Sequence, residues 1–181
     1  MDNLTNSIDQ VVQENVLPHE WPKEVLAELN NLEVKNNKRA DLRKIPFVTI
    51  DGKDAKDFDD AVFCEFSKDG FDLQVAIADV AEIVKQDSSI DKEALLRGTS
   101  IYFPKRVIPM LPEEISNNLC SLIPSEDRNV LVCKINYNKE GEINSYEFSE
   151  AVINSHKRFT YNEVEFIKQN KDINLSAEIP Q

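Results

Sequence analysis

An α/β mixed (α+β) fold, with a largely antiparallel sheet and helices packed outside it, is what the 181-residue sequence predicts. Two observations point to the sheet. The apolar runs 61–66 and 71–80 are joined by a polar turn ending in Gly70, and a second pair spans 129–155 around Lys139, Glu140 and Gly141. Both have the pattern of β-hairpins. A third observation supplies the helices: segments such as 19–34 carry apolar residues at three-to-four spacing. The length suffices for one domain with its own core, so disulfide staples are not required.

Taken in order, residues 1–17 are polar with scattered aliphatics and read as a weakly structured lead-in, and residues 18–181 form the domain proper. Segment 19–34 places Pro22 at a first-turn position and Trp21, Val25, Leu29 and Leu32 on one face, which predicts an amphipathic helix ending near Asn36 and Asn37. The basic stretch 35–44 leads into the β-branched and aromatic run 45–50, a buried strand that ends at Asp51. After the first hairpin, 90–100 is helical, with acids early and Gly98 placed to stop it. Segment 102–114 is a proline-punctuated loop and 115–123 a short turn or helix. The last helix is 161–169, and 170–181 shows no pattern.

Composition narrows the function. The 33 acidic and 21 basic residues give a net charge of −12, which argues against a binder held mainly by phosphate contacts. The same balance suits a site that holds divalent cations and lets them face phosphate. Cys64, Cys120 and Cys133 are widely spaced, with no CxxC, and fit neither a disulfide framework nor a zinc site. No membrane span and no signal peptide is legible, so a soluble protein of the reducing cytoplasm is expected. His19 and His156 are the only histidines, and no serine or cysteine stands in a nucleophile motif beside them. Asp79 reads as a strand cap or as a residue orienting a ligand, and Cys120 as a small buried apolar residue.

The segment 45–63 carries the chemistry. Asp51, Asp54, Asp57, Asp59 and Asp60 fall within ten residues, directly after one apolar strand and directly before another. Carboxylates so close raise one another's pKa unless a cation neutralises them, and hard divalent metals favour oxygen ligands. On extended backbone Asp57 and Asp59 share a face and Asp60 points away, which predicts a turn at Asp57-Phe58. Three other readings stay open at this point. A solvated acidic loop is the plain one. An EF-hand lacks its sixth-position glycine and twelfth-position glutamate. An Asp-x-Asp phosphohydrolase would have Lys53 where its second aspartate belongs.

The string VTIDGKDAKDFDDAV resembles the signature of the RNB catalytic domain of ribonuclease II and ribonuclease R, and HEWPKEVL, VAIADVAEIV, GTSIYFPKRVIPMLPEEISNNLCSLIPSEDR and INSHKRFTY resemble further segments in the same order. The resemblance runs over about residues 17 to 165 and is closest to ribonuclease R. It implies a hydrolase releasing nucleoside 5′-monophosphates from the 3′ end of single-stranded RNA, with Mg²⁺, or Mn²⁺, as cofactor. By the same resemblance Asp51 and Asp60 are ligands of an ordered magnesium, Asp57 supports them, Asp59 is the acid most directly tied to catalysis, by holding a second metal or the attacking water, and Asp54 is a loop residue. Tyr102 resembles the aromatic that clamps the terminal nucleotide and Tyr161 one that distinguishes RNA from DNA. Lys105 and Arg106 are candidate phosphate contacts.

The family's catalytic domain is about twice as long as this sequence. A downstream arginine, a second base-stacking aromatic, and the cold-shock and S1 modules that carry much of the RNA affinity have no counterpart here. Protein partners are not implied. Two classes of function therefore stand: an exoribonuclease represented by the front part of its catalytic domain, and a non-catalytic RNB fragment that binds metal or RNA weakly. Weak or no processive degradation is expected of the isolated chain.

Overall fold

The computed structural model describes residues 3–32, 38–104 and 106–170 and divides into two compact units. Unit 1 comprises residues 1–34 and 81–114, and unit 2 comprises residues 35–80 and 115–181. The architecture is the mixed one expected, with a large, mostly antiparallel sheet and helices.

Unit 2 is built on seven strands, β1 (Ala40–Asp41), β2 (Val48–Asp51), β3 (Asp60–Ser67), β4 (Gly70–Ala78), β7 (Asp127–Asn138), β8 (Ile143–Asn154) and β9 (Lys157–Thr160), in the order β1-β8-β7-β4-β3-β2-β9. Both expected hairpins are present, β3 with β4 and β7 with β8. They lie side by side through an unbroken antiparallel ladder from Gly70↔Asn138 to Ala78↔Val130. Gly70 opens β4 because nothing larger fits: a Cβ there would stand 2.0 Å from the Tyr137 carbonyl oxygen. Gly141 turns the second hairpin at φ 83°, a conformation glycine adopts without steric cost.

Strands β1 and β9 join the two ends of the sheet by parallel pairing, β1 with β8 and β9 with β2, the latter in the register Val48↔Lys157 to Asp51↔Thr160. Helix α5 (Tyr161–Asn170) follows β9 directly. Its start is a capping box, in which the Thr160 amide and hydroxyl donate to the Glu163 carboxylate at 2.6 and 2.7 Å.

The two faces of the sheet differ. One face buries Ala61, Ala76, Ala78, Val130, Val132, Ala151 and Ile153. The other, defined by the pairings Phe66↔Phe71, Ile77↔Leu131, Ile135↔Tyr146 and Cys133↔Phe148, is apolar yet open to solvent, with Phe66 96% and Phe148 74% exposed.

Unit 1 holds α1 (Asn3–Glu14), α2 (Lys23–Leu29), α4 (Ser89–Arg97) and a two-stranded ribbon of β5 (Ile101–Phe103) and β6 (Arg106–Ile108). The short α3 (Val80–Ile83) begins at the boundary between the units. The opening stretch expected to be weakly structured is helical. The sequence reading missed α1 because its few aliphatics are spread through a polar run, yet Ile8 and Val12, one turn apart, both bury against Ile108 with Leu17, Ile101 and Phe103 around them. Segment 102–114, expected as loop, contributes the ribbon, whose apolar residues form the rest of that cluster.

Helix α2 is shorter than expected and ends at Leu29, with Pro22 just before its first turn; the anticipated end at Asn36 and Asn37 lies outside the described residues. Ser88 caps α4 and Gly98 closes it at φ 70°. The Glu28 carboxylate accepts from the Ser89 amide at 2.7 Å, placing negative charge at the positive end of α4. Arg97 lies 3.5 Å from the Trp21 ring and donates to the Glu20 and Pro109 carbonyls.

Candidate active site

Strands β2 and β3 pair at Val48↔Val62 and then part, leaving Asp51 at the end of one and Asp60 at the start of the other. The carboxylate loop spans the gap. Its turn is at Lys53 and Asp54, closed by the Ala55 amide donating to the Gly52 carbonyl at 3.1 Å, and not at Asp57-Phe58. The reason lies in Phe58, which is only 8% exposed. Its amide donates to the Ser121 hydroxyl at 3.1 Å, its carbonyl accepts from the Leu122 amide at 2.8 Å, and the Ser121 hydroxyl donates to the Lys56 carbonyl at 2.7 Å. With Phe58 drawn inward, Asp57, Asp59 and Asp60 are left exposed.

Asp51 is different, being 9% exposed with its Oδ2 buried and without a hydrogen-bond partner. Burial, with the charges of Asp60 and Asp59 beside it, pushes its pKa above the usual carboxylate value, against the opposing effects of the Thr49 hydroxyl and the Arg158 charge. Although Asp60 is exposed, partial desolvation by its surroundings, with Asp59 next to it, raises its pKa too. The structure therefore brings Asp51, Asp59 and Asp60 into one electrostatic group. It leaves Asp57 on the exposed loop and Asp54 at the turn. Among the described residues no three His, Cys, Asp or Glu side chains converge on one metal-binding point.

The donor set nonetheless fits a hard divalent ion. A buried carboxylate oxygen with no partner is costly to keep charged, two neighbouring acids add to that cost, and a cation between them removes it. Asp51, Asp59 and Asp60 are the residues that would hold such an ion.

Arg158 on β9 was not singled out in the sequence, although it lies three residues before Tyr161. Its Nη2 donates to the Gly52 carbonyl at 2.6 Å and the Lys53 carbonyl at 2.8 Å, and its guanidinium stands 5.0 Å from the Phe58 ring centroid. Ser121 was missed too. Neither belongs to a local motif, because their partners are backbone groups far away in sequence.

Tyr161, 63% exposed, opens α5 immediately after Thr160, the residue paired with Asp51, so unit 2 carries this tyrosine at the carboxylate end of β2. Tyr102 and Arg106 belong to unit 1, where Tyr102 is 69% exposed and Arg106 is ion-paired with Asp9 at 2.6 Å. Lys105 lies outside the described residues. Asp79 does not serve the carboxylate group. It forms a 2.7 Å ion pair with Arg39, with the two side chains 9% and 2% exposed. Cys64, Cys120 and Cys133 are free thiols, and burial pushes the Cys120 pKa up to about 11, as suits an unreactive packed residue. No helix among the described residues is long and apolar enough to cross a membrane.

Comparison with known proteins identifies the family. Ribonuclease R of Vibrio parahaemolyticus serotype O3:K6 is 51% identical over 162 residues, a match covering 86% of this chain and 19% of that protein. Ribonuclease R of Acidithiobacillus ferrooxidans is also 51% identical over 162 residues, covering 87% of this chain and 37% of that protein. Among solved structures, Mycoplasma genitalium RNase R in complex with double-stranded RNA superposes with a TM-score of 0.89 at 38% identity, over 94% of this chain and 31% of that one. The chain thus spans from 19% to 37% of the length of these relatives. The RNB domain model matches residues 39–179, from before β1 through the carboxylate loop and beyond α5, and the chain belongs to the RNB domain family.

Proposed function

We propose that the carboxylate loop is the phosphodiester-cleaving site of a 3′-to-5′ exoribonuclease that hydrolyses single-stranded RNA to nucleoside 5′-monophosphates in the cytoplasm. The observation that carries the proposal is the buried, unpartnered Asp51 Oδ2, electrostatically coupled to Asp59 and Asp60 in a chain of the RNB family. When bound, Mg²⁺ or Mn²⁺ supplies Lewis acidity, lowering the pKa of water and steadying the leaving oxygen.

The chain's own residues do the rest. Asp51 and Asp60, which stand at two strand ends, would hold the ion, with Asp57 supporting from the loop. Asp59, beside them, would hold a second ion or orient the attacking water. Tyr161, next to the residue paired with Asp51, reads the sugar. Tyr102 offers an exposed ring for a base, where stacking is sequence-tolerant and worth about 1–3 kcal/mol. Lys105 and Arg106 touch phosphate, Arg106 after exchanging Asp9 for it.

The test is shortening of 5′-labelled poly(A) in Mg²⁺ by the chain and by Asp59→Asn. We expect slow, distributive loss from the 3′ end, abolished by chelation and by the substitution. Equal activity in the two proteins would refute the role of Asp59, and metal-independent products would refute the site.

A further inference from the structure

The carboxylate loop is fastened at two places by side chains that carry no negative charge and make no bond to an aspartate. On its first half, Arg158 ties down the Gly52 and Lys53 carbonyls through one nitrogen while its plane lies near Phe58. On its second half, the Ser121 hydroxyl, 1% exposed with its residue, donates to the Lys56 carbonyl and accepts from the Phe58 amide. Ser121 is itself held by Arg128, whose Nε donates to the Ser121 carbonyl at 2.8 Å and whose Nη2 donates to the Asn118 carbonyl at 3.1 Å.

Between residues 52 and 59 the loop has little backbone hydrogen bonding of its own. Asp54, Asp57 and Asp59 lie in this segment with Asp51 and Asp60 flanking it, and the unrestrained response of such charges to their mutual repulsion is to splay apart. We propose that Arg158 and Ser121 are positioning residues for the metal site, fixing the course of the loop from Asp51 to Asp59, and with it the place of Asp57 beside the acids that the sheet holds, before a cation arrives. The proposal rests on the reading of these aspartates as metal ligands and deepens it.

The chemistry of each residue suits the task. A guanidinium can serve two carbonyls from one edge and keep its face toward an aromatic ring, whereas an ammonium is a compact point charge that cannot stack. A hydroxyl both donates and accepts, which is what Lys56 and Phe58 require of position 121. Each attaches to the main chain, so each fixes where the loop runs without competing with a cation for carboxylate oxygens. Groups one step removed from a metal commonly change its affinity by about 10–100-fold when removed.

The experiment titrates Mn²⁺ alone into the whole chain, following loss of the free-ion electron paramagnetic resonance signal, for wild type, Asp51→Asn, Arg158→Gln, Arg158→Lys and Ser121→Ala. Thermal midpoints are measured without metal alongside. Support is a loss of about tenfold or more in Mn²⁺ affinity for Arg158→Gln, a smaller loss for Arg158→Lys and for Ser121→Ala, and near-complete loss for Asp51→Asn. If Arg158→Gln does not fold, Arg158→Lys and Ser121→Ala decide by the same measure. Variants that lose thermal stability yet bind Mn²⁺ as wild type does would overturn the positioning role and leave the metal site standing. Wild type and Asp51→Asn binding alike, or not at all, would overturn the metal site and the positioning role with it.

Discussion

Replacing Asp79 with alanine tests how unit 2 is held together. Arg39 donates to Asp79 at 2.7 Å and the two side chains are 2% and 9% exposed, so the substitution takes away the carboxylate closest to Arg39 in a nearly dry site. Removing one partner of a buried pair costs about 3–5 kcal/mol, because the remaining charge is left uncompensated. Glu150 stands 3.9 Å from the same Arg39 nitrogen and is 62% exposed, and it supplies part of the missing charge. We therefore expect the lower end, about 3 kcal/mol. With a urea dependence of about 2 kcal/mol per molar, the unfolding midpoint should fall by roughly 1.5 M. Arg39→Met combined with Asp79→Leu should recover most of the loss, since a buried pair replaced by apolar groups is often neutral. Urea unfolding followed by circular dichroism measures all three. An Asp79→Ala midpoint within about 0.3 M of wild type, or a double variant no better than the single one, would refute the reasoning. Mn²⁺ affinity of folded Asp79→Ala should equal that of wild type, since Asp79 pairs with Arg39.

Gly70→Ala should cost about 3 kcal/mol in the same assay, because the added carbon meets two backbone groups, the Tyr137 carbonyl oxygen at 2.0 Å and the Asn138 carbonyl carbon at 2.7 Å, in an interior strand pair. Thr160→Ala removes the cap of α5 and should cost about 1 kcal/mol. The partner in that cap gives a pH signature: the Thr160 hydroxyl and amide hold the Glu163 pKa below its usual value, so its contribution is present above the unfolded pKa near 4.5 and lost as pH falls through the lower folded one. Glu163→Gln should therefore differ from wild type at neutral pH and converge with it in acid, which thermal unfolding at a series of pH values would show. Phe66→Ser with Phe148→Ser should leave stability within about 1 kcal/mol of wild type, as both rings are largely exposed, while reducing self-association seen by light scattering.

How far the sequence reveals the fold depends on the range of the interaction. The hairpins β3–β4 and β7–β8 are legible because each is a local alternation closed by a local turn, with Gly141 where a positive φ is needed. Helix α4 is legible for the same reason, from the acids early in it and Gly98 after it, whereas its Ser88 cap was not read. Strands β1 and β9 are two and four residues long and pair in parallel with partners more than a hundred residues away, so no local pattern announces them. In the site, the aspartates stand out because acid between apolar strands is costly. The turn was misplaced because Phe58 is drawn inward by Ser121 and Leu122, which short-range alternation cannot foresee.

The same distinction separates the acids of the loop. Asp54 lies in the Lys53-Asp54 turn, beyond the carbonyls that Arg158 ties down, and is exposed. Asp51 is fixed by pairing with Thr160 on β9, and Asp60 by pairing with Ile77 on β4. Asp59 is fixed through its carbonyl, which accepts from the Ala78 amide at 2.9 Å. Three aspartates are thus held by the sheet or its extension, and these are the three whose charges act on one another. Asp57 is fixed only through its neighbours Lys56 and Phe58, both bound to Ser121. Of the four aspartates assigned by resemblance, it is the one whose approach to a cation depends most on that serine, so Ser121→Ala should weaken what Asp57 contributes before it disturbs Asp51 or Asp60.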